Sequence, residues 1–143
     1  GKNITRDITY LLDFLNKADA KVVEENKLDF TQFTALFMPG SIMDYKNSDD
    51  PILGGGEENR KYFSYIYRNR LIRYDAPGNI HYGYIGRANG FSLKKLWNGA
   101  KIEQGLHDIS KFSWPNFSDN EMDTHYINYG YFLYSKKDKS KKK

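Results

Sequence analysis

Three histidines, His81, His107 and His125, are the side chains of this 143-residue chain best suited to moving a proton near neutral pH. Cutting a phosphodiester without a metal needs a base for the attacking hydroxyl, an acid for the leaving oxygen and a cation for the charged phosphorane. Histidine fits the first two roles. Arg87, Lys46 and Arg70 are candidates for the third. His81 stands apart through its context, Gly78-Asn79-Ile80-His81-Tyr82-Gly83-Tyr84-Ile85-Gly86-Arg87-Ala88-Asn89-Gly90. Glycine packs nothing and costs backbone entropy. So much of it in one stretch predicts tight turns, or backbone held close to another group. His107 follows a predicted helix end at Gly105-Leu106. His125 lies inside the last predicted helix.

Other chemistries find less support. Asp49-Asp50 and Asp119/Asp123 supply oxygen atoms for Mg²⁺ or Mn²⁺. Asp119 is already explained as part of a helix start, however, and no paired-histidine spacing points to zinc. No metal or other cofactor is expected. There is no Gly-x-Ser-x-Gly elbow. Gly54-Gly55-Gly56 lacks the Lys-Ser/Thr of a phosphate-binding loop, and the glycines at 83, 86 and 90 do not match the dinucleotide fingerprint.

The elements that must position these residues are read from periodicity. Ile4, Ile8, Leu11, Leu15 and Ala18 predict an amphipathic helix over about residues 4–20. Residues 28–38, with Phe30, Phe33 and Phe37, fit a second helix or a strand. Residues 39–56 read as a loop, with Pro39-Gly40-Ser41 and Ser48-Asp49-Asp50-Pro51 as turn formers. Residues 57–73 predict a helix, with Glu57 and Glu58 at its start and Arg68, Arg70 and Arg73 near its end, matching the helix dipole. Ile80, Tyr82 and Tyr84 alternate with His81, Gly83 and Ile85, which predicts a short strand at about 79–86. Ser92 caps a helix that runs to about Gln104 and stops at Gly105. Ser118-Asp119-Asn120-Glu121 is a capping box for a last helix, with Met122, Tyr126, Tyr129 and Leu133 as its buried face to about Ser135. The expected fold is mainly α with a short extended region around 79–86, or α+β, in a single compact domain over residues 1–135.

Composition narrows the class. Hydrophobic residues make up 39% of the chain, a modest share, but twelve tyrosines and nine phenylalanines can carry a core. There is no cysteine, so disulfides, zinc–thiolate sites and thiol nucleophiles are all excluded. No apolar run approaches the ~20 residues needed to span a bilayer, and the first residues show no signal-peptide pattern. The net charge of +4 hides an asymmetry: residues 136–143 hold six lysines and one aspartate, so residues 1–135 carry a net −1. The lysine-rich end is expected to be a disordered tail. It can also meet nucleic acid or an anionic surface by charge alone.

Asp44-Tyr45-Lys46, Gly78-Asn79-Ile80-His81-Tyr82-Gly83 and Gly86-Arg87-Ala88-Asn89-Gly90-Phe91-Ser92 together resemble the bacterial polymorphic toxin type 44 domain. The likeness continues through Gly99-Ala100 and Gln104 to Asp119-Asn120, Asp123, Ile127 and Gly130, covering about residues 42–131. Where the family often has Trp-Asp-Tyr-Lys, this chain has Met43-Asp44-Tyr45-Lys46. The resemblance implies the C-terminal toxin domain of a larger secreted or surface-delivered bacterial protein. It would act in the cytoplasm of a target bacterium and be neutralised by a cognate immunity protein. It implies a ribonuclease with RNA as substrate; a target-cell factor is a possible further partner. Asn79, Asp44, Lys46 and Gln104 become site candidates on this basis. In that scheme Lys46 and Arg87 stabilise the phosphorane, Asn79 holds a phosphate oxygen, and His81 or Asp44 takes the proton. Tyr82 and Tyr84 stack bases, while Arg70 and Asp123 complete the substrate side. Alternatives are a metal-dependent nuclease, another enzymatic toxin, or a non-enzymatic binding module that uses the basic tail.

Overall fold

The computed structural model describes residues 6–37, 41–43, 64–73, 76–106 and 120–141, and the side chains among them except those of 101–106, 120–123 and 135–141. Asp44, Lys46 and His107 lie outside the described residues, as do the side chains of Gln104 and Asp123.

Strand β1 (Arg6–Asp7) leads directly into helix α1 (Thr9–Glu25). The Asp7 carboxylate accepts the Thr9 amide at 2.9 Å, and this sets the helix start later than the predicted residue 4. The helix then runs past the predicted residue 20. Its buried stripe is Leu12, Leu15, Asn16, Ala20 and Val23, turned from the expected one so that Ala18 faces out. Helix α2 (Phe30–Ala35) resolves the ambiguous segment in favour of a helix. The reason is a capping box: Asp29 accepts the Gln32 amide at 2.8 Å and the Gln32 side chain accepts the Asp29 amide at 3.0 Å.

The helix predicted over 57–73 is corrected within its described part. Strands β2 (Ser64–Tyr67) and β3 (Arg70–Arg73) form an antiparallel hairpin, with Tyr65 opposite Ile72 and Tyr67 opposite Arg70. Arg68 (φ 52°) and Asn69 (φ 65°) make its two-residue turn. Positive φ at both central positions is the hairpin type whose twist matches that of the strands. Tyr65 and Tyr67 alternate inward, a period of two that the arginine-rich end of the segment masked. β1 adds to β2 in parallel, giving the order β1-β2-β3.

The strand predicted at 79–86 is also corrected, because this segment lies inside helix α3 (Ala76–Asn89). Helix α4 (Leu93–Leu106) follows, capped by Ser92, whose hydroxyl accepts the Lys95 amide at 3.1 Å. Helix α5 (Asn120–Lys141) closes the described chain and carries on into the lysine-rich end. The fold is thus mainly helical with a small three-stranded sheet, as expected, but its β part lies at 6–7 and 64–73.

α3 is the centre. On one side Tyr82, Ile85 and Ala88 pack in a core with Phe33, Phe37, Met43, Leu96 and Ile127. On the other Ile80 joins Ile8, Leu12, Tyr65, Tyr67, Ile72 and Tyr126. A helix that is buried all round shows no amphipathic pattern, and so its alternation reads as a strand.

The glycines explain how so central a helix fits. A Cβ on Gly83 would stand 2.1 Å from the Ile127 carbonyl oxygen, and one on Gly130 would stand 1.9 Å from that of Ile80. α3 and α5 therefore cross backbone on backbone, in an antiparallel sense, at two facing glycines. Gly86 likewise makes room for Leu96, and Gly99 for the Phe30 ring. At the end of α3, Gly90 (φ 99°) forms a Schellman motif: its amide donates to Arg87 O at 2.9 Å and the Phe91 amide to Gly86 O at 3.0 Å. The expectation of backbone held close to another group was right, but that group is a second helix.

Candidate functional site

The richest polar cluster among the described residues is a seam where α1 meets α3. Asp13, Asn16, Asp19 and Glu24 all come from α1, the first three spaced by three residues and Glu24 five further on. Asn16 sits within the buried stripe itself, 1% exposed. Its Oδ1 lies 2.7 Å from His81 Nδ1, and in the tautomer with the proton on Nδ1 the ring donates to it. On the other side His81 Nε2 lies 3.0 Å from Asp19 Oδ2. The Phe37 ring meets the imidazole edge to face, with centroids 5.9 Å apart.

His81 is therefore only 2% exposed, with an oxygen against each ring nitrogen. A general base must reach the proton that it removes. In this arrangement neither nitrogen faces solvent, and the imidazole ties α1 to α3.

The other half of the seam is built on tyrosines. The Tyr67 hydroxyl donates to Asp13 at 2.5 Å, and Arg68 reaches the same oxygen with its Nη2 at 3.1 Å. Burial raises the Tyr67 phenol well above its ordinary range, helped by Asp13. Burial, followed by the negative charges of Asp13 and Glu24, pushes Tyr84 up to about 12. The Tyr134 hydroxyl donates to Glu24, and the Tyr84 and Tyr134 rings meet edge to face at 5.3 Å.

The predicted site residues are scattered over this frame. Asn79 is fully buried on α3. Tyr82 is also fully buried, and its hydroxyl donates to Leu96 O at 2.8 Å. Tyr84 is 5% exposed. Protein side chains pack against both rings. Arg87 is committed to α5: it donates to the Tyr131 hydroxyl at 2.7 Å, with its guanidinium 4.6 Å from that ring's centroid. Arg70 is exposed on β3 and lies 5.2 Å from the Tyr129 ring centroid. His81 and Arg87, six residues apart on one helix, lie ~9 Å apart along its axis and on different sides of it. They do not converge. His125 is exposed on α5 against the Tyr126 ring. Asn89, within the glycine-rich segment, pairs with the backbone of Leu28 in both directions, at 2.9 and 3.0 Å. Among the described residues no group of three or more acidic or histidine side chains is placed to hold a metal ion.

Asn16, Asp19 and Asp13 were missed from sequence. One signal was available: Asn16 stands four residues from both Leu12 and Ala20, so a polar residue occupies a core position of α1. A buried amide demands a partner.

Among the described residues no helix is long and apolar enough to cross a membrane. No curated protein matches the chain, and neither does any solved structure. A family model for bacterial toxin 44 matches residues 40–136, about two thirds of the chain. That span holds the hairpin, α3, α4 and most of α5, while α1 and α2 precede it. The chain belongs to the bacterial toxin 44 family.

Proposed function

We propose that this toxin domain is a ribonuclease that cuts RNA phosphodiester bonds in the cytoplasm of a target bacterium, without a metal. The observation that carries the reading is the family membership, with the matched span covering every motif of the resemblance. In this reading the domain is delivered as the C-terminal part of a larger bacterial protein and is held inactive at home by an immunity protein.

The burial of His81 changes the distribution of roles. The reacting groups of the proposal are Asp44, Lys46 and Gln104. Asp44 takes the 2′-hydroxyl proton as the 2′-oxygen bonds to phosphorus, Lys46 stabilises the phosphorane, Gln104 orients a phosphate oxygen, and the 5′-oxygen leaves with a proton from water. Asp44 and Lys46 follow directly on Met43, which packs in the same core as Tyr82. Asn79 and His81, both buried on α3, serve the scaffold.

Purified protein is expected to degrade bulk RNA in the presence of EDTA. Lys46→Ala is expected to abolish cleavage with the circular dichroism spectrum unchanged. Cleavage that stops in EDTA would move the reading to a metal-dependent nuclease. Intact RNA in cells that die on expression would move it to another enzymatic toxin.

A further inference from the structure

The outward side of α1 carries a stripe that the proposed chemistry does not use. Tyr10, Phe14, Lys17 and Lys21 are spaced by four, three and four residues, so they line up along one face. That face lies away from the buried stripe of Leu12, Asn16, Ala20 and Val23. Tyr10 is 87% exposed and Phe14 is 60% exposed. A groove of about 580 Å³ runs beside them, lined by Asp7, Thr9, Tyr10, Asp13, Phe14 and Lys17.

We propose that this face is a docking track for single-stranded RNA, with Tyr10 and Phe14 stacking bases and Lys17 and Lys21 meeting phosphates. Large exposed rings cost free energy in water, and a base offers each of them a flat partner. Four helical residues place the rings ~6 Å apart along the axis, wider than the ~3.4 Å step of a duplex strand. Each ring therefore takes its own base from a splayed single strand, the form in which RNA sequence is usually met.

The electrostatics point the same way. The two carboxylates of the groove are already engaged, Asp7 by the Thr9 amide and Asp13 by Tyr67 and Arg68. Arg68 offsets the charge of Asp13 at 3.1 Å, and the cations of the stripe itself are Lys17 and Lys21, both exposed. A protein partner is the less suitable occupant, because protein interfaces favour aromatic residues but are depleted in lysine. The track lies on residues before the matched span of 40–136, so it is a feature of this chain beyond its family match. The identity of the strand as RNA rests on the ribonuclease reading.

The test is fluorescence anisotropy of the full chain with a fluorescein-labelled 2′-O-methyl oligouridylate, which cannot be cut through its 2′-oxygen. Tyr10→Ala/Phe14→Ala is expected to weaken binding by about tenfold or more. Lys17→Ala/Lys21→Ala is expected to weaken it and to flatten the log–log salt slope by ~1.4. The lysine-rich end is common to all the proteins and cancels. All four side chains are exposed, so the variants keep the circular dichroism spectrum of the parent. Binding by the aromatic variant within about twofold of the parent would overturn the track, as would an unchanged salt slope in the lysine variant. Ordinary RNA left uncut by a parent protein whose oligonucleotide binding depends on Tyr10 and Phe14 would sink the ribonuclease reading and leave the track standing.

Discussion

Replacing Gly83 by alanine puts one methyl group where α3 and α5 touch. The new Cβ would stand 2.1 Å from the Ile127 carbonyl oxygen and 3.0 Å from the Tyr131 amide nitrogen. Carbon and carbonyl oxygen in contact normally sit at ~3.3–3.6 Å. The helices must therefore part by more than about 1 Å, because backbone atoms cannot rotate away as a side chain can. Overpacking costs ~1–3 kcal/mol and sometimes more, and backbone on both sides places this case at the upper end. Alanine recovers ~1 kcal/mol through its better helix propensity. The net expectation is a loss of ~2 kcal/mol. In urea, where a small domain has an m value of ~1–3 kcal/mol/M, the midpoint falls by about 1 M with m unchanged. Gly130→Ala meets the Ile80 carbonyl across the same crossing and should cost a similar amount. The double variant should lose less than the sum, because the first methyl has already separated the helices. A Gly83→Ala protein with a raised urea midpoint would show helix propensity acting alone, and would refute the close crossing.

Gly90→Ala forces a side chain into a backbone at φ 99° and should cost ~1 kcal/mol or more, read from the same urea midpoint. Gly90→Asn should cost less. Asn16→Leu keeps the branching of the buried side chain, with somewhat more bulk, but takes the acceptor from His81, and should destabilise by ~1–3 kcal/mol; an unchanged midpoint would mean that the bond carries no stability. Tyr84 keeps its proton to about pH 12 when folded, against ~10 in the unfolded chain. Between those values the unfolded state loses the proton first, so stability is whole below pH 10 and falls as pH rises through the window. Tyr84→Phe should make that alkaline fall shallower and remove one late-ionising phenol from the absorbance titration at 295 nm.

Local chemistry was the legible part. Ser92 as a helix cap and the apolar repeat of α1 both depend on residues within a few positions of one another. Backbone groups at a helix end are satisfied locally, so the signals that satisfy them are local too. The resemblance to the toxin family was legible in the same way, from short motifs at fixed spacing. The hairpin at 64–73 was half-legible. Its alternating tyrosines were overridden by a charge pattern that suited a helix dipole.

What the sequence determined, then, was the mainly helical class, several of the helix ends and the family. The tertiary structure decided what the glycine-rich segment is and what its histidine does. Glycine at 83 is compatible with a turn, a strand or a crossing helix. Only Ile127 and Gly130, more than forty residues along the chain, select the last. His81 is an available proton carrier until Asn16 and Asp19 of another helix close on its two nitrogens. Side-chain burial is a property of partners brought together by the fold, and neither residue type nor spacing contains it.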